Sequence, residues 1–176
     1  ANAQKEIEFL CSISKPDIGY ITNFGLAHLE GFGGPEGVIK GKSELYDYLR
    51  THQKRAIVFS DSEKQIEKSE GIERVLFGTN ASSPFGFKKG EELPTFQLIY
   101  EDKSIRTNLS GGYNYSNVAA AFTMGLLFAM PREKIISGLE RYVPTNQRSQ
   151  IEKSERNTII VDCYNATLAV FNWRYS

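Results

Sequence analysis

Length, composition and charge already exclude several classes of protein. The chain has 176 residues, 40% of them hydrophobic and 12% aromatic, and its 21 acidic side chains balance 21 basic ones. Such a length and hydrophobic content suit one folded domain with a real core and exclude a disordered chain. A formal net charge of zero provides no overall attraction to nucleic acid or to an anionic membrane surface, so neither is expected as a partner.

The sequence also lacks the marks of a membrane or exported protein. Its longest apolar stretch, residues 118–130, is interrupted by Thr123 and Gly125 and is too short to span a bilayer. No signal-peptide pattern opens the chain. Cys11 and Cys163 are its only cysteines, too few for a disulfide framework, which favours a reducing compartment. We therefore expect a cytoplasmic globular domain without a membrane span.

The first half of the chain alternates helical and strand-like patterns. Apolar periodicity and turn signals predict helices over residues 3–14, 36–49 and 61–69 and strands over 17–23, 55–60 and 73–78. A glycine-rich loop over residues 25–37 is expected between the first strand and the second helix. Alternation of this kind predicts the α/β class, with a mostly parallel, Rossmann-like sheet flanked by helices.

The second half begins at residue 82, where the residue pattern of the chain changes. Two short β-rich runs, 95–100 and 104–109, are separated by a polar turn and predict a small antiparallel hairpin added to the sheet. Further along, the pattern predicts helices over 114–130 and from Pro131 to Arg141, and strands near 150–152 and 158–161.

The tripeptide Gly41-Lys42-Ser43 ends like a phosphate-binding loop but does not meet its requirements. The full motif G-x-x-x-x-G-K-[ST] needs glycine at position 36, where this chain has glutamate. The lysine of such a loop also stands at a helix N-terminus, where main-chain amides hold phosphate. Here it lies well inside a helical pattern, so we do not interpret this tripeptide as a phosphate-binding loop.

Lys42 is unusual for a different reason, because it lies on the inward stripe of its helix. That stripe also holds the apolar residues Val38, Leu45, Tyr46 and Leu49, and the opposite, solvent face holds Lys40, Glu44 and Asp47. Burial disfavours the charged amine, and a neutral amine can capture carbon dioxide as a carbamate. The alternative is that Lys42 snorkels to the rim of the stripe, leaving its charge in water.

Several other polar residues stand where ligands are often bound. His28 lies in the loop after the first strand, where open α/β sheets bind ligands, and it is either a metal ligand or base or an ordinary loop histidine. Asn114 and Asn117 begin the long helix and can match an adenine edge, or serve as cap and surface residues. Arg148 can clamp phosphate, and Asp162 can accept sugar hydroxyls; both can equally be solvated side chains.

Taken in order, several segments resemble the Mur ligase family. They are LCSISKPDIGYITNFGLAHLEGFGGPEGVIKGKSELYD (residues 10–47), GGYNYSNVAAA (111–121), PTNQRSQ (144–150) and IIVDCYNA (159–166). Alanine before His28 and Leu-Glu-Gly-Phe-Gly after it are similar to the branch that adds D-alanyl-D-alanine, whereas other branches usually read Asp-His. The resemblance covers about residues 1–166.

The resemblance implies an ATP-dependent amide ligase of peptidoglycan synthesis. ATP would phosphorylate the carboxylate of UDP-N-acetylmuramoyl-tripeptide, and the amine of D-Ala-D-Ala would attack the acyl phosphate. Lys42 matches the family's carbamylated lysine and His28 its magnesium-ligating histidine, so both are expected at the catalytic Mg²⁺. This favours modification of Lys42 over snorkelling.

The same resemblance assigns the nucleotide contacts. Asn114 and Asn117 match asparagines near adenine, with Tyr113 where the family often has histidine. Arg148 matches an arginine near the ATP phosphates, and Asp162 an aspartate on the ribose. ATP and Mg²⁺ are therefore the expected cofactors.

Parts of the family pattern are missing from these 176 residues. Residues 1–161 are expected to be an incomplete central ATP-binding domain without its phosphate-loop strand, and 162–166 the start of a linker to a C-terminal domain. Family members also carry an N-terminal uridine-nucleotide domain. We expect the isolated chain to be inactive, and to self-associate through a sheet edge exposed by the missing strands.

Residues 167–176 depart from the family, which continues after Ala166 with Asn-Pro-(Ser/Thr)-Ser. One set of codons for Thr167 to Val170 is ACC CTA GCA GTA, and a single A placed before them reads Asn-Pro-Ser-Ser. This predicts a tail produced by a one-nucleotide deletion, or otherwise added to the chain.

Two alternative interpretations remain, one from another class of protein and one within the enzymes. The chain is alternatively a stand-alone, non-catalytic nucleotide-binding or interaction module derived from a Mur-type ligase. Within the enzymes, a folylpolyglutamate or cyanophycin synthetase is a third possibility, against which the pair Ala27-His28 argues.

Overall fold

The computed structural model describes residues 1–25, 29–82, 84–145, 150–153 and 155–161. The chain divides into two compact units, Ala1–Phe85 and Gly86–Ser176. No helix among the described residues is long and apolar enough to cross a membrane. The assignment of residues 1–161 to one central domain and of 162–166 to a linker stays a prediction.

The first unit is built on a three-stranded parallel sheet. Its elements, in chain order, are α1 (Glu6–Ser14), β1 (Ile18–Tyr20), α2 (Leu29–Phe32), α3 (Pro35–Thr51), β2 (Arg55–Phe59), α4 (Glu63–Lys68) and β3 (Glu73–Phe77). The strands lie in the order β1-β2-β3, with Gly19 paired to Ala56 and Ile57 to Val75. The α/β class and the parallel sheet with flanking helices are confirmed. The expected continuous loop over 25–37 is wrong in part, because α2 and the first turn of α3 form within it.

Local signals explain where these helices begin and end. Pro35 occupies the first position of α3, where its fixed φ suits the helix and its missing N–H is not needed. Ser62 caps α4 by accepting a hydrogen bond from the amide of Gln65. Helix α1 ends at Ser14; the next residue, Lys15, has a left-handed backbone and donates its amide to the carbonyl of Cys11, and Pro16 follows. Each boundary is thus set by one or two neighbouring residues.

The core of the first unit lies between α3 and the sheet. Tyr46 and Leu49 of α3 are fully buried against Ala56 and Val58 of β2. Gly19 of β1 leaves little room for a side chain, because an added Cβ would lie 2.8 Å from a methyl carbon of Leu49, which would have to move. This close approach fixes how α3 crosses β1, and therefore where the polar side chains of α3 can reach.

The second unit combines antiparallel strands with two helices. Its elements are β4 (Lys88–Lys89), β5 (Gln97–Tyr100), β6 (Lys103–Arg106), a 3₁₀ turn (Gly112–Asn114), α5 (Tyr115–Leu127), α6 (Arg132–Arg141), β7 (Gln150–Lys153) and β8 (Thr158–Val161). The predicted hairpin is confirmed as β5-β6 and is widened by β4, which the sequence did not indicate. Strands β7 and β8 form a separate antiparallel pair.

Aromatic rings fill the core of the second unit. Phe122 of α5 contacts the rings of Phe87 and Tyr100, and Tyr115 contacts Phe96. Gly125 lets α6 approach α5, since an added Cβ would lie 2.7 Å from the side chain of Ile135. The long apolar pattern of α5 is therefore explained by burial inside a globular core.

Candidate functional site

Lys42 lies on α3 with its neighbours buried in the way that its helical phase predicts. The helix begins at Pro35, so Gly41-Lys42-Ser43 is well past the N-terminus, where main-chain amides would be available for phosphate. The rejection of a phosphate-binding loop is confirmed. Gly41 has a packing reason instead, because a Cβ there would collide with the ring of Phe32.

The amine of Lys42 is held at the carboxyl end of β1. Nζ donates to the main-chain oxygen of Asn23 at 2.8 Å and lies 3.4 Å from its side-chain Oδ1. The side chain is half-buried, and this burial lowers the pKa of the Lys42 amine. Among the described residues no carboxylate forms an ion pair with it. This environment favours a neutral or covalently modified amine more than the surroundings of an exposed surface lysine would.

Asn23 organises the turn that follows β1. Its Oδ1 accepts a hydrogen bond of 2.8 Å from the amide of Gly25, which closes a turn of the kind that asparagine side chains commonly form. Sequence reasoning did not single out this residue. The signal was an asparagine two residues before a glycine, in the loop that follows a strand, which marks a turn at the edge where open parallel sheets bind ligands.

Polar residues that follow the next two strands, β2 and β3, are linked by hydrogen bonds. Asp61, after β2, accepts hydrogen bonds from the amides of Thr79 at 2.9 Å and Asn80 at 3.3 Å, which follow β3. The side chain of Gln65 accepts from the amide of Phe59 at 3.0 Å. Sequence reasoning missed both residues. Their contacts join the strand ends into one edge, so the carboxyl edge of the sheet beside Asn23 is well supported.

The asparagine pair of the second unit separates into two environments. Asn114 is 5% exposed, and its Nδ2 donates to the carbonyl of Ser110 at 2.8 Å. It occupies the position before α5, as a cap would, but its side chain makes no capping hydrogen bond. Asn117 is exposed on the first turn of α5, with its amide accessible. Of the two asparagines, Asn117 therefore has the side chain that is accessible from solvent.

Three predicted site residues, His28, Arg148 and Asp162, lie outside the described residues. In the described ranges, no group of three or more histidine, cysteine, aspartate or glutamate side chains is arranged to hold a metal ion. The described residues alone therefore contain no complete metal site, and no ligand geometry for Mg²⁺ follows from them.

Comparison with known proteins agrees with the fold and the motifs. Residues 1–125 match the Mur ligase middle domain. A UDP-N-acetylmuramoyl-tripeptide–D-alanyl-D-alanine ligase of Bacillus subtilis is 25% identical over 170 residues, covering 94% of this chain and 37% of the relative. The ligase of that name from Buchnera aphidicola subsp. Baizongia pistaciae is 32% identical over 183 residues, covering 96% of this chain and 38% of the relative.

Solved structures give the same result. The crystal structure of MurF from Acinetobacter baumannii aligns with a TM-score of 0.79 at 29% identity, covering 98% of this chain and 39% of that one. The chain thus spans well under half of the length of the relatives it matches. Because the family model covers residues 1–125, most of the chain, the chain belongs to the Mur ligase family, by its middle domain.

Proposed function

We propose that this chain is the ATP-binding part of a longer cytoplasmic ligase that joins D-Ala-D-Ala to UDP-N-acetylmuramoyl-tripeptide. In this reaction the γ-phosphoryl group of ATP passes to the tripeptide carboxylate and ADP leaves. The dipeptide amine then forms the amide bond, phosphate leaves and the amine gives up a proton. The names of the curated relatives support this choice of substrates, and their greater length supports a division of the activity over more chain than these 176 residues.

The observation that carries the proposal is the placement of Lys42. A half-buried amine with a lowered pKa, held on neutral oxygens rather than on a carboxylate, suits reaction with carbon dioxide. Nζ would bond to the carbon and release one proton, leaving an anionic carbamate. A snorkelling lysine would keep its amine in water, whereas the amine of Lys42 is hydrogen-bonded to Asn23.

Two groups are proposed to hold Mg²⁺, and neither is complete among the described residues. The carbamate oxygens of a modified Lys42 are hard ligands of the kind that Mg²⁺ prefers, and His28 is the second proposed ligand. A bound Mg²⁺ would offset the charge of the phosphates. The chain's own part is to hold Lys42 at the carboxyl end of β1.

The nucleotide contacts are proposed for the second unit. Asn117, exposed on the first turn of α5, is proposed to pair with the adenine edge, while Asn114 holds the turn before the helix through Ser110 and borders the base. Arg148 is proposed at the phosphates and Asp162 at the ribose. Asn117 has the strongest support among these four, because its amide is exposed at the start of a helix.

Sequencing the genomic DNA through both ends of this segment is the first test. An upstream G-x-x-G-K-[ST] and a downstream Asn-Pro-Ser-Ser in the shifted frame would support the ligase. A natural start and stop at these ends would instead favour a stand-alone nucleotide-binding or interaction module.

The protein encoded by the longer frame then provides the activity test. We expect phosphate release that requires ATP, UDP-N-acetylmuramoyl-tripeptide and D-Ala-D-Ala together, and none from the 176-residue chain. Lys42→Arg keeps the positive charge of an unmodified lysine but forms no stable carbamate, and should lower kcat about 100-fold, as removal of one electrostatic group commonly does. Lys40→Arg, on the exposed side of the same helix, is the matched control. Phosphate release without the dipeptide requirement would refute the ligase assignment.

A further inference from the structure

Asn23 makes two kinds of contact at the end of β1, and together they concern Lys42. Its main-chain oxygen accepts from Nζ at 2.8 Å, and its side-chain Oδ1 accepts from the amide of Gly25 at 2.8 Å while lying 3.4 Å from Nζ. We propose that Asn23 is a positioning residue that holds the Lys42 amine at the carboxyl edge of the sheet. Its consequence for catalysis rests on the proposed ligase function.

The side chain of Asn23 acts through the main chain. By accepting from Gly25, Oδ1 closes a turn across Phe24 and fixes the peptide orientation just after β1. The carbonyl that receives Nζ belongs to the residue that begins this turn. Without the side-chain bond, that carbonyl is free to rotate away from α3. The amine would then lose its shorter hydrogen bond as well as its contact with Oδ1.

A second lysine, Lys54, binds near the opposite end of β1, and the two lysines differ in the group that receives them. Lys54 forms an ion pair with Asp17, just before β1, at 2.5 Å between Nζ and Oδ1. Lys42, on α3, is received past the other end of β1 by an asparagine, Asn23, in place of an aspartate. A carboxylate would retain the amine as a paired ammonium ion. Asparagine gives a fixed position without a counter-charge, which suits an amine that must react.

The position is useful because of where it lies in the fold. The carboxyl ends of parallel strands form the ligand-binding edge of open α/β sheets, and α3 is locked onto β1 through Gly19 and Leu49. A long lysine side chain on a fixed helix still has several rotamers. Asn23 selects the one that reaches this edge.

The test measures position directly, in the 176-residue chain and without substrate, so it succeeds or fails separately from the ligase function. NMR relaxation gives the order parameter of the Lys42 Cε–H bonds, and amide hydrogen exchange reports the Gly25 turn. Lys40, exposed on the same helix, is the internal reference. Three variants separate the contacts: Asn23→Ala, Asn23→Ser and Asn23→Asp.

In Asn23→Ala, we expect exchange of the Gly25 amide to become about tenfold faster and the Lys42 order parameter to fall towards that of Lys40. Asn23→Ser should keep the turn through its hydroxyl and leave Lys42 at an intermediate value. Asn23→Asp retains both acceptors and should keep Lys42 ordered. An unchanged Lys42 order parameter in Asn23→Ala, or a disordered Lys42 in Asn23→Asp, would overturn the proposal.

Discussion

The two units bring their candidate residues into position by different means. In the first unit, Lys42 reaches across from a helix to a strand end 19 residues earlier in the chain, so its position depends on how α3 lies on the sheet. In the second unit, Asn114 and Asn117 are placed by a local turn, closed by a hydrogen bond to Ser110 only four residues away. Changes in packing should therefore disturb the first site, and changes in local hydrogen bonding the second.

The largest expected effect comes from adding one methyl group to each unit. A Cβ at Gly37, in the first turn of α3, would collide with the main-chain oxygen of Phe32, whereas one at Gly138, in α6, would meet nothing within 4 Å. Gly37→Ala should therefore destabilise the fold by about 3 kcal/mol. Gly138→Ala should stabilise it by about 0.5–1 kcal/mol, because alanine is the better helix former.

Urea denaturation followed by circular dichroism measures both variants. In Gly37→Ala the displaced α3 should also lower the order of the Lys42 side chain, while Gly138→Ala should leave it unchanged. Equal stability changes in the two variants would contradict the claim that helix packing, rather than helix propensity, governs the first unit.

The asparagine pair provides the next largest effect and sharpens the contrast within the second unit. Asn114→Ala removes the donor that satisfies the carbonyl of Ser110 in a buried place and should cost about 2 kcal/mol. Asn117→Ala changes an exposed side chain and should alter stability by no more than about 0.5 kcal/mol.

Nucleotide binding should reverse this order. Calorimetric titration with ADP, in the longer protein, should show the greater loss of affinity for Asn117→Ala, provided that Asn114→Ala is studied below its unfolding temperature. A loss of stability in Asn117→Ala as large as that in Asn114→Ala would remove the division of roles between the two residues.

The sequence predicted the parts of the fold that depend on periodicity. The alternation of helix and strand patterns up to residue 78 was enough to predict the parallel sheet, and the inward phase of Lys42 on α3 was visible directly. Strand β4 and helix α2, of two and four residues, are too short to produce a periodic signal. β4 is defined instead by its antiparallel pairing with β5.

For the candidate site, the sequence predicted which side chains take part but not the contacts between them. The contact between Lys42 and Asn23 arises where α3 crosses β1, and no local pattern encodes such a crossing. Glu44 illustrates the same limit: its helical phase predicts a solvent-facing carboxylate, yet it accepts hydrogen bonds from the amides of Lys5 and Glu8 at 2.6 and 3.0 Å. It caps α1 from another helix, a role that α1 itself does not reveal.

A smaller effect is expected from removing that cap. Helix α1 has no capping side chain of its own, so Glu44→Ala leaves its first amides without their acceptor and should cost about 1 kcal/mol. Glu44→Gln keeps one acceptor oxygen and should lose about half as much. Hydrogen exchange at the amides of Lys5 and Glu8 checks the cause, with Lys40→Ala as a control on the same helix. Unchanged exchange at both amides would show that the cap contributes nothing.

The smallest effect concerns two buried hydroxyls in the first unit, those of Tyr20 and Tyr46. Within the described residues, neither has a hydrogen-bond partner. A buried, unpaired hydroxyl is unfavourable, so Tyr46→Phe should stabilise the fold by about 0.5–1 kcal/mol at neutral pH. Tyr142→Phe, where the side chain is exposed, should change nothing in the same thermal unfolding experiment.

The pH dependence gives this last prediction a second, independent readout. Burial raises the pKa of Tyr20 from 10.0 to about 12 and raises that of Tyr46 as well. Above pH 10 the unfolded chain has released these protons while the folded chain retains them, so the free energy of unfolding falls as pH rises through the folded pKa values. The alkaline loss should shrink in Tyr46→Phe and shrink further when Tyr20→Phe is added. If the slope above pH 10 is the same in all variants, these hydroxyls are hydrated in solution, and the packing of α3 on β1 that holds Lys42 is looser than the buried rings imply.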